Sequence, residues 1–290
     1  MTVDELFDVK NSFYLGNYQQ CINDVQTKKI PDNLKSEATI YLYRSYAAQK
    51  KFSVVCNDLK NADTPELKAV RIFVEYMSSQ ANHLKSKNAL DELVASSKSM
   101  FMPPERWPLL VLGATIYLNE DDVKSALQLL NQLEHIECLA MKVHIFLSLS
   151  RVDLAICELK KMQELDEDCS LTQIVHAWVR LSTGSEKVQD AFYTFQELAD
   201  KYGSTPMLLN GMASAQMSQG KFEQAESTLQ EALEKDPNNP DTLANFVVVS
   251  QHLNKPQEII LRFITQLTES NSEHNFSKKL AKSVCSSGFH

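Results

Sequence analysis

The stretch at 206–240, PMLLNGMASAQMSQGKFEQAESTLQEALEKDPNNP, constrains the fold of this chain more than any other part of the sequence. Apolar residues recur there at intervals of three and four residues on both sides of Gly220. This spacing places them on one helix face and predicts two amphipathic helices, at about Met207–Gln219 and Phe222–Lys235. Because a turn-forming glycine separates them, the two helices should fold back on each other as a hairpin.

The crossing and the ends of this hairpin can also be inferred. Ala213 and Ala225 are small enough to let the two helix backbones approach closely. Proline has no backbone N–H to donate, so Pro237 should end the second helix, and Asp241 is placed to cap the helix that follows. A single hairpin leaves apolar surface open on both sides and therefore needs neighbours of the same kind.

The hairpin repeats along the chain. Ala191 lies 34 residues before Ala225, Ala155 lies 36 residues before Ala191, and Ala126 precedes Ala155 by 29 residues. More divergent pairs come earlier, and the first of them has Gly16 in its turn. A 34-residue helical hairpin with small residues at the crossing, glycine in the turn and proline at the end is the tetratricopeptide pattern.

We therefore predict an all-α fold, a tetratricopeptide-like α-α solenoid of stacked helix hairpins over residues 1–270. The composition agrees, because 7 Gly and 9 Pro among 290 residues favour helices joined by short turns. Residues 271–290 differ in character, since their final part, SKKLAKSVCSSGFH, is rich in Ser and Lys and has no acidic residue. We predict that this C-terminal tail is disordered or a variant of its family.

Charge and composition exclude several classes of function. A formal net charge of -8 and a pI of about 5.4 argue against nucleic acid as a partner. The apolar run Trp107–Leu118 is too short to cross a bilayer and contains Pro108 and Gly113. The N-terminus has no apolar segment typical of a secretory signal, and the six cysteines include no CxxC pair. We expect a cytoplasmic protein with reduced thiols.

The sequence contains no motif of a known catalytic centre. HExxH, P-loop, GxGxxG and GxSxG motifs are absent, as are cysteines with zinc-site spacing. His135 and Cys138 lie close enough to share a helix face, but no two further metal ligands lie nearby. The acidic run Glu164–Asp168 lacks the alternation and central glycine of a calcium loop. We predict no enzyme activity, no metal and no cofactor, and rank an enzyme with a cryptic site last.

A stack of helix hairpins is a binding architecture, because its first helices line a concave surface that holds a peptide or another domain. The first-helix positions that we expect to face this groove are Arg44, Thr115, His144, His176, Arg180, Asn210, Ser214, Met217 and Gln251. The alternative is that they are solvated residues of a curved surface without a partner.

Some tetratricopeptide proteins hold a C-terminal carboxylate with Lys and Asn at fixed first-helix positions. The corresponding pairs in this chain are Ile40 with Arg44, Val111 with Thr115, His176 with Arg180, and Asn210 with Ser214. None is a Lys–Asn clamp, which disfavours an adaptor for chaperone tails. Arg180 beside His176 is left as a candidate contact for a single carboxylate.

The segment at 3–24, VDELFDVKNSFYLGNYQQCIND, closely resembles the N-terminus of the epsilon subunit of coatomer, the COPI vesicle coat. Three later segments are similar to that family as well: LTQIVHAWVRLSTGSEKVQDAFYTFQELADK, LLNGMASAQMSQGKFEQAESTLQEALEKD and DTLANFVVVSQHLNKP. The resemblance runs from about Val3 to Leu267 and includes turn and surface residues that packing does not dictate.

The resemblance implies a non-catalytic coat subunit that binds the C-terminal domain of coatomer alpha and steadies it beside the beta-prime subunit. It also implies a role in Golgi-to-ER and intra-Golgi transport, with membrane contact only through the coat and recruitment by Arf-family GTPases indirectly. Family members continue with a further helical segment containing aromatic and acidic residues, whereas this chain has SKKLAKSVCSSGFH. We expect a variant C-terminus that affects the last helical contact with the alpha subunit.

Two interaction hypotheses therefore remain. In the first, the curved inner surface embraces a folded segment of a coat partner, with apolar contacts for affinity and polar contacts for orientation. In the second, the protein is a tetratricopeptide adaptor that binds short linear peptides in its groove. The two differ in whether an isolated peptide suffices for binding.

Overall fold

The structure is a computed structural model that describes residues 5–97, 103–184, 186–272, 274 and 276–279. Within these residues it contains sixteen α-helices of seven residues or more and no β-strand. The predicted all-α class is confirmed. Contacts divide the chain into two compact units, residues 1–175 and 176–290, and the boundary falls inside the eleventh helix.

Unit 1 consists of helix hairpins in chain order. Its helices are α1 (Phe7–Tyr14), α2 (Tyr18–Thr27), α3 (Lys35–Ala48), α4 (Phe52–Asp58), α5 (Pro65–Ser78), α6 (His83–Ser96), α7 (Trp107–Asn119), α8 (Val123–Leu130), α9 (Ile136–Ser148) and α10 (Val152–Asp166). Short 3₁₀ turns at Gln80–Asn82 and Pro104–Arg106 precede α6 and α7. The third hairpin is α5 with α6.

The chain continues in the same way through α11, which contains the unit boundary. The helices are α11 (Ser170–Thr183), α12 (Lys187–Tyr202), α13 (Pro206–Ser218), α14 (Phe222–Lys235), α15 (Pro240–His252) and α16 (Gln257–Ser270). The hairpin predicted from 206–240 is α13 with α14, and both helices agree with the prediction to within one residue at each end.

One residue in a left-handed conformation closes seven of these hairpins. Three are glycines, at 16, 184 and 220, with φ between 73° and 78°. The other four are Lys50, Asp121, Ser150 and Asn254, with φ between 51° and 59°. In six of these turns the next residue donates its N–H to the carbonyl five positions earlier, as from Lys221 to Gln216 at 2.9 Å. This 6→1 bond satisfies a carbonyl that the helix end leaves open and turns the chain back.

Several helix starts carry side-chain caps, and one cap differs from the prediction. Thr205 Oγ1 accepts from the Leu208 N–H, and Asn239 Oδ1 accepts from the Thr242 N–H at 3.1 Å. The cap of α15 is therefore Asn239, and the assignment to Asp241 was wrong. The reason is that Pro240 takes the first helical position, where its missing N–H costs nothing, so that Asp241 already lies inside the first turn.

The apolar run at 107–118 is the central helix of unit 1. Every residue of α7 from Trp107 to Ala114 is buried, and Leu110, Ala114 and Ile116 have no measurable exposure. Pro108 lies in the first turn of the helix and does not interrupt it. An all-round apolar helix is thus explained by burial among its neighbours. Within the described residues, no helix has the length and hydropathy needed to cross a membrane.

The core of unit 2 is built on small residues and aromatic pairs. Ala213 and Ala225 are both fully buried in one cluster, as the close crossing of α13 and α14 requires. The rings of Phe246 and Phe263 stack at 4.8 Å between their centroids and join α15 to α16. Contacts with neighbouring helices thus cover the apolar faces that the α13–α14 hairpin would expose if it stood alone.

The boundary predicted at residue 270 stays a prediction, because most of the tail lies outside the described residues. The described part contacts unit 2. Asn271 donates to the Asn238 carbonyl at 3.2 Å, Phe276 packs against the unit 2 core, and Ser277 is buried.

Ala225→Arg should unfold unit 2. The substitution places a charged side chain between α13 and α14 where no exposure exists, so we expect the unfolding free energy to fall by more than about 4 kcal/mol. Urea unfolding measures the loss. Gln224→Arg, one position earlier and exposed, is the matched control and should change the free energy by less than about 0.5 kcal/mol. Equal effects of the two substitutions would contradict this helix register.

Candidate functional site

All nine predicted groove residues lie on the first helices of their hairpins. Unit 1 contains three of them, on α3, α7 and α9, and unit 2 contains six, on α11, α13 and α15. Their environments differ greatly, from fully enclosed to exposed.

Asn210 in unit 2 is buried and makes three hydrogen bonds inside the protein. Its Nδ2 donates to the Pro206 carbonyl at 2.8 Å and to Thr242 Oγ1 at 2.7 Å, and its Oδ1 accepts from Asn245 Nδ2 at 2.9 Å. The side chain therefore joins α13 to α15, the first helices of two successive hairpins. A satisfied buried amide of this kind specifies the stacking of the hairpins.

The other unit 2 candidates retain more exposed surface. Ser214 donates to the Asn210 carbonyl at 2.8 Å and Met217 packs against the core, so both are half-buried. Arg180 makes one long contact of 3.5 Å with Thr194 Oγ1. His176 is half-buried on the same helix, and Gln251 is exposed on α15.

In unit 1 only His144 is exposed among the three candidates. Thr115 is half-buried and donates to the Val111 carbonyl of its own helix at 2.9 Å. Arg44 is nearly buried and forms a bidentate ion pair with Glu137, with N–O distances of 2.7 and 3.1 Å. The Arg44 guanidinium thus binds a carboxylate of its own chain.

Glu137 is the centre of a buried polar cluster that the sequence analysis did not find. Its Oε1 accepts from the hydroxyls of Tyr14 at 3.0 Å and Tyr41 at 2.8 Å, and both its oxygens contact Arg44. The guanidinium carbon also lies 4.4 Å from the centre of the Phe13 ring and 5.0 Å from that of Trp107. The cluster joins α1, α3 and α9 by side chains across 93 to 123 residues of sequence.

The electrostatics of the cluster follow from its burial. Burial and the neighbouring Glu137 charge raise the pKa of both tyrosines well above their ordinary value, so each hydroxyl remains a donor. Burial opposes the charge of Arg44, but the charge and hydrogen bonds of Glu137 outweigh it and raise the Arg44 pKa. A buried carboxylate with one guanidinium and two hydroxyl donors is fully satisfied.

His135 supports the same cluster from the start of α9. Its Nδ1 accepts from the Glu137 N–H at 3.3 Å and caps the helix, while its ring stacks on Trp107 at 4.9 Å with an angle of 3°. Burial lowers the pKa of His135 to about 4, which makes it neutral near pH 7. The pairing of His135 with Cys138 on a helix face is therefore explained by capping and packing. Among the described residues, no group of His, Cys, Asp and Glu is arranged to hold a metal ion.

An open cleft of about 340 Å³ lies beside the cluster, and Tyr14 and Tyr41 form part of its lining. Two of its apolar residues are unusually exposed, since Phe7 is 45% and Leu165 is 51% accessible. Because the two side chains belong to α1 and α10, their meeting at one cleft required the tertiary structure. Exposed large apolar side chains beside a cavity are typical of binding surfaces.

Comparison with known proteins identifies the family of the chain. The sequence pattern of the family described as "Coatomer epsilon subunit" matches residues 2–286. The chain belongs to this family.

Epsilon subunits from distant organisms are similar to it over almost their whole length. The coatomer subunit epsilon of Dictyostelium discoideum is 37% identical, with 96% of this chain and 94% of that protein covered. Coatomer subunit epsilon-2 of Oryza sativa subsp. japonica is 39% identical, with coverage of 96% and 93%. The coatomer subunit epsilon of Caenorhabditis elegans is 35% identical, with 96% of this chain and 96% of that protein covered. Family membership thus makes the chain a coatomer subunit, and a coatomer subunit associates with other coatomer subunits.

Solved structures agree on the fold. A tetratricopeptide repeat protein from Parabacteroides merdae matches with a TM-score of 0.61 at 15% identity, covering 91% of this chain and 97% of that one. A chain of the APC/C hetero-tetramer Cut9-Hcn1 matches with a TM-score of 0.60 at 13% identity, covering 95% and 53%. The predicted tetratricopeptide-like α-α solenoid is confirmed, and so is the family resemblance.

Glu137→Gln should destabilise this epsilon-family chain strongly. Removing the carboxylate charge leaves the guanidinium of Arg44 buried without a counter-ion, which we expect to cost about 3–5 kcal/mol of unfolding free energy. Denaturant unfolding of the wild type and the variant measures this loss of unfolding free energy. Asp153→Asn, which breaks an exposed pair with Arg151, is the matched control and should leave the unfolding midpoint almost unchanged, because solvent screens the pair.

The double variant Arg44→Met/Glu137→Leu should recover most of the loss, because it removes both charges together and lets the Tyr14 and Tyr41 hydroxyls, whose oxygens lie 2.9 Å apart, hydrogen-bond to each other. A double variant as unstable as Glu137→Gln would show that the ion pair itself is required.

Acid should destabilise unit 1 through His135. Its pKa is about 4 in the folded protein and about 6.5 when unfolded, so the unfolded state takes up the proton first as the pH falls. The stabilisation is fully present above pH ~6.5 and is lost progressively towards pH ~4. Between pH 7.5 and 5.0 the wild type should lose about 1–2 kcal/mol more than His135→Asn, which keeps a capping acceptor. A parallel loss in both proteins would contradict the prediction.

Proposed function

We propose that this chain is a non-catalytic subunit of the COPI coat that binds and stabilises the C-terminal domain of the coatomer alpha subunit. In this role it supports Golgi-to-ER retrograde and intra-Golgi transport. The observation that carries the proposal is the match to the coatomer epsilon family over residues 2–286, together with similarity to its members over their whole length. We place the chain in the cytoplasm and, peripherally, on Golgi membranes and coated vesicles.

The composition of the first-helix surfaces supports binding rather than chemistry. Arg44 and Asn210 are engaged inside the protein, and the accessible candidates are neutral or singly charged side chains on rigid helices. Side chains fixed on packed helices bind a partner without much loss of conformational freedom. Neither the buried Glu137 carboxylate nor the neutral His135 lies beside a nucleophile of lowered pKa, since burial raises the pKa values of Cys21, Cys138 and Cys169.

We propose a division of labour among the nine first-helix residues. The side chains with accessible polar or apolar surface contact the partner directly, and they are His144 in unit 1 and His176, Arg180, Met217 and Gln251 in unit 2. The remaining residues bond inside the protein: Arg44 and Asn210 to other helices, and Thr115 and Ser214 to carbonyls of their own helices. The beta-prime subunit joins the same subcomplex, and Arf-family GTPases and the membrane are reached only through the coat.

Mixing the full chain with the C-terminal domain of the coatomer alpha subunit tests the proposal. We expect a co-eluting one-to-one complex with a Kd below about 1 μM, as an interface of standard size provides. Short peptides tiled over the same domain should not bind. Peptides that bind as tightly as the domain would favour the linear-peptide adaptor instead, and absence of any complex would contradict the coat assignment.

Arg180→Ala supplies a sharper test of the first-helix surface in unit 2. It should raise the Kd by about tenfold, because it removes an accessible cation from a proposed contact. Arg262→Ala is the matched control, since Arg262 is exposed on α16, a second helix. We expect it to change the Kd by less than about twofold. If Arg262→Ala weakens the complex and Arg180→Ala does not, the partner binds the second helices.

A further inference from the structure

We propose that the cleft of unit 1 receives a lysine or arginine side chain of the coat partner, with its stem between Phe7 and Leu165 and its head at Asn11 and the acidic rim. The cleft lies between α1, α3, the start of α9 and the end of α10, and it is described entirely within unit 1. This inference rests on the proposed function, because the side chain belongs to a segment of the protein that the chain binds.

The first support is a buried acceptor without a donor. Asn11 lines the cleft and is only 7% exposed, and its Oδ1 is buried without a hydrogen-bond partner in the part of the chain that the structure describes. A buried carbonyl oxygen left unpaired is costly, so a donor is expected at this position in the functional state. The head group of lysine or arginine carries several N–H donors and no acceptor.

The second support is the charge of the lining. Four carboxylates and one lysine line the cleft, which gives it a formal charge of -3. Lys10 is engaged with Glu37 at 3.2 Å, whereas neither Glu134 nor Asp168 has an ion-pair partner within 4.0 Å among the described residues. His135, also in the lining, is neutral near pH 7 and does not offset them. The potential of such a cleft attracts a cation and rejects phosphate or carboxylate groups.

The third support selects a side chain over a free metal ion. The described residues contain no group of three or more carboxylates, histidines or cysteines arranged around one point, as a bound divalent ion requires. The cleft instead combines the acidic rim with exposed apolar carbon of Phe7 and Leu165. Lysine and arginine match this combination, because their aliphatic stems cover apolar surface while their heads stay at a polar rim.

The test is titration calorimetry of the full chain with the C-terminal domain of coatomer alpha at 50 and 300 mM NaCl. We expect Glu134→Lys/Asp168→Lys to raise the Kd at least tenfold at 50 mM and to reduce its dependence on salt. Glu167→Lys is the matched control, because Glu167 is exposed at the end of α10 and does not line the cleft. We expect it to change the Kd by less than threefold.

Two further variants separate recognition from folding. Glu134→Gln/Asp168→Asn removes the charges without reversing them and should weaken binding in the same direction if the double lysine variant fails to fold. Asn11→Leu should also raise the Kd, whereas an internal role of Asn11 would change only the melting temperature. Replacing the partner's lysines and arginines singly by glutamate should reveal one that restores binding to the double lysine variant.

The outcomes distinguish this inference from the proposed function. A wild-type complex that the rim variants and Asn11→Leu leave unchanged overturns the cleft inference and keeps the coat function. Absence of any wild-type complex overturns both. Loss of binding in the rim variants, with the control intact and rescue by one partner residue, supports both.

Discussion

The fold of this chain depends on closing each helix hairpin within three or four residues. Seven of the eight turns between paired helices contain one residue with positive φ, and in six of them the following N–H bonds to a carbonyl five positions earlier. This geometry satisfies open helix-end groups and fixes the angle between the paired helices. Once the angle is fixed, small residues such as Ala213 and Ala225 meet at the crossing, and larger apolar residues fill the space between hairpins. The exception, α5 with α6, uses a 3₁₀ turn at Gln80–Asn82 instead.

The sequence predicted the hairpins well because their signals are local. Periodicity and the glycines at 16 and 220 located helices to within a few residues. The turns at Lys50, Asp121, Ser150 and Asn254 have the same geometry without glycine, so composition alone does not reveal them. The candidate site was harder to predict. Arg44 has a helix position that suggests the groove, but its partner Glu137 lies 93 residues away and no periodic pattern links them. The cleft likewise joins residues from four separate segments.

Two of the polar residues on the first helices are buried and join helices inside the protein. Asn210 links α13 to α15, and Arg44 neutralises Glu137 inside unit 1. A position on the first helix of a hairpin is thus not sufficient evidence of partner binding. Accessibility decides which role a residue takes, and the exposed Phe7 and Leu165 at the cleft were missed because they belong to helices outside the predicted groove set. Family membership identifies the chain as a coatomer subunit, whereas the geometry of the structure indicates which residues are candidate contacts.

The separation of Arg44 from Glu137 has a consequence for biosynthesis. At ordinary elongation rates the ribosome needs roughly 5–20 s to add the 93 residues between them. During that time the nascent α1 to α4 hairpins expose Tyr14, Tyr41 and an uncompensated guanidinium. The first four helices therefore emerge before their electrostatic partner exists. The hydrogen bonds and the ion pair that join α1 and α3 to Glu137 can form only after α9 has been synthesised.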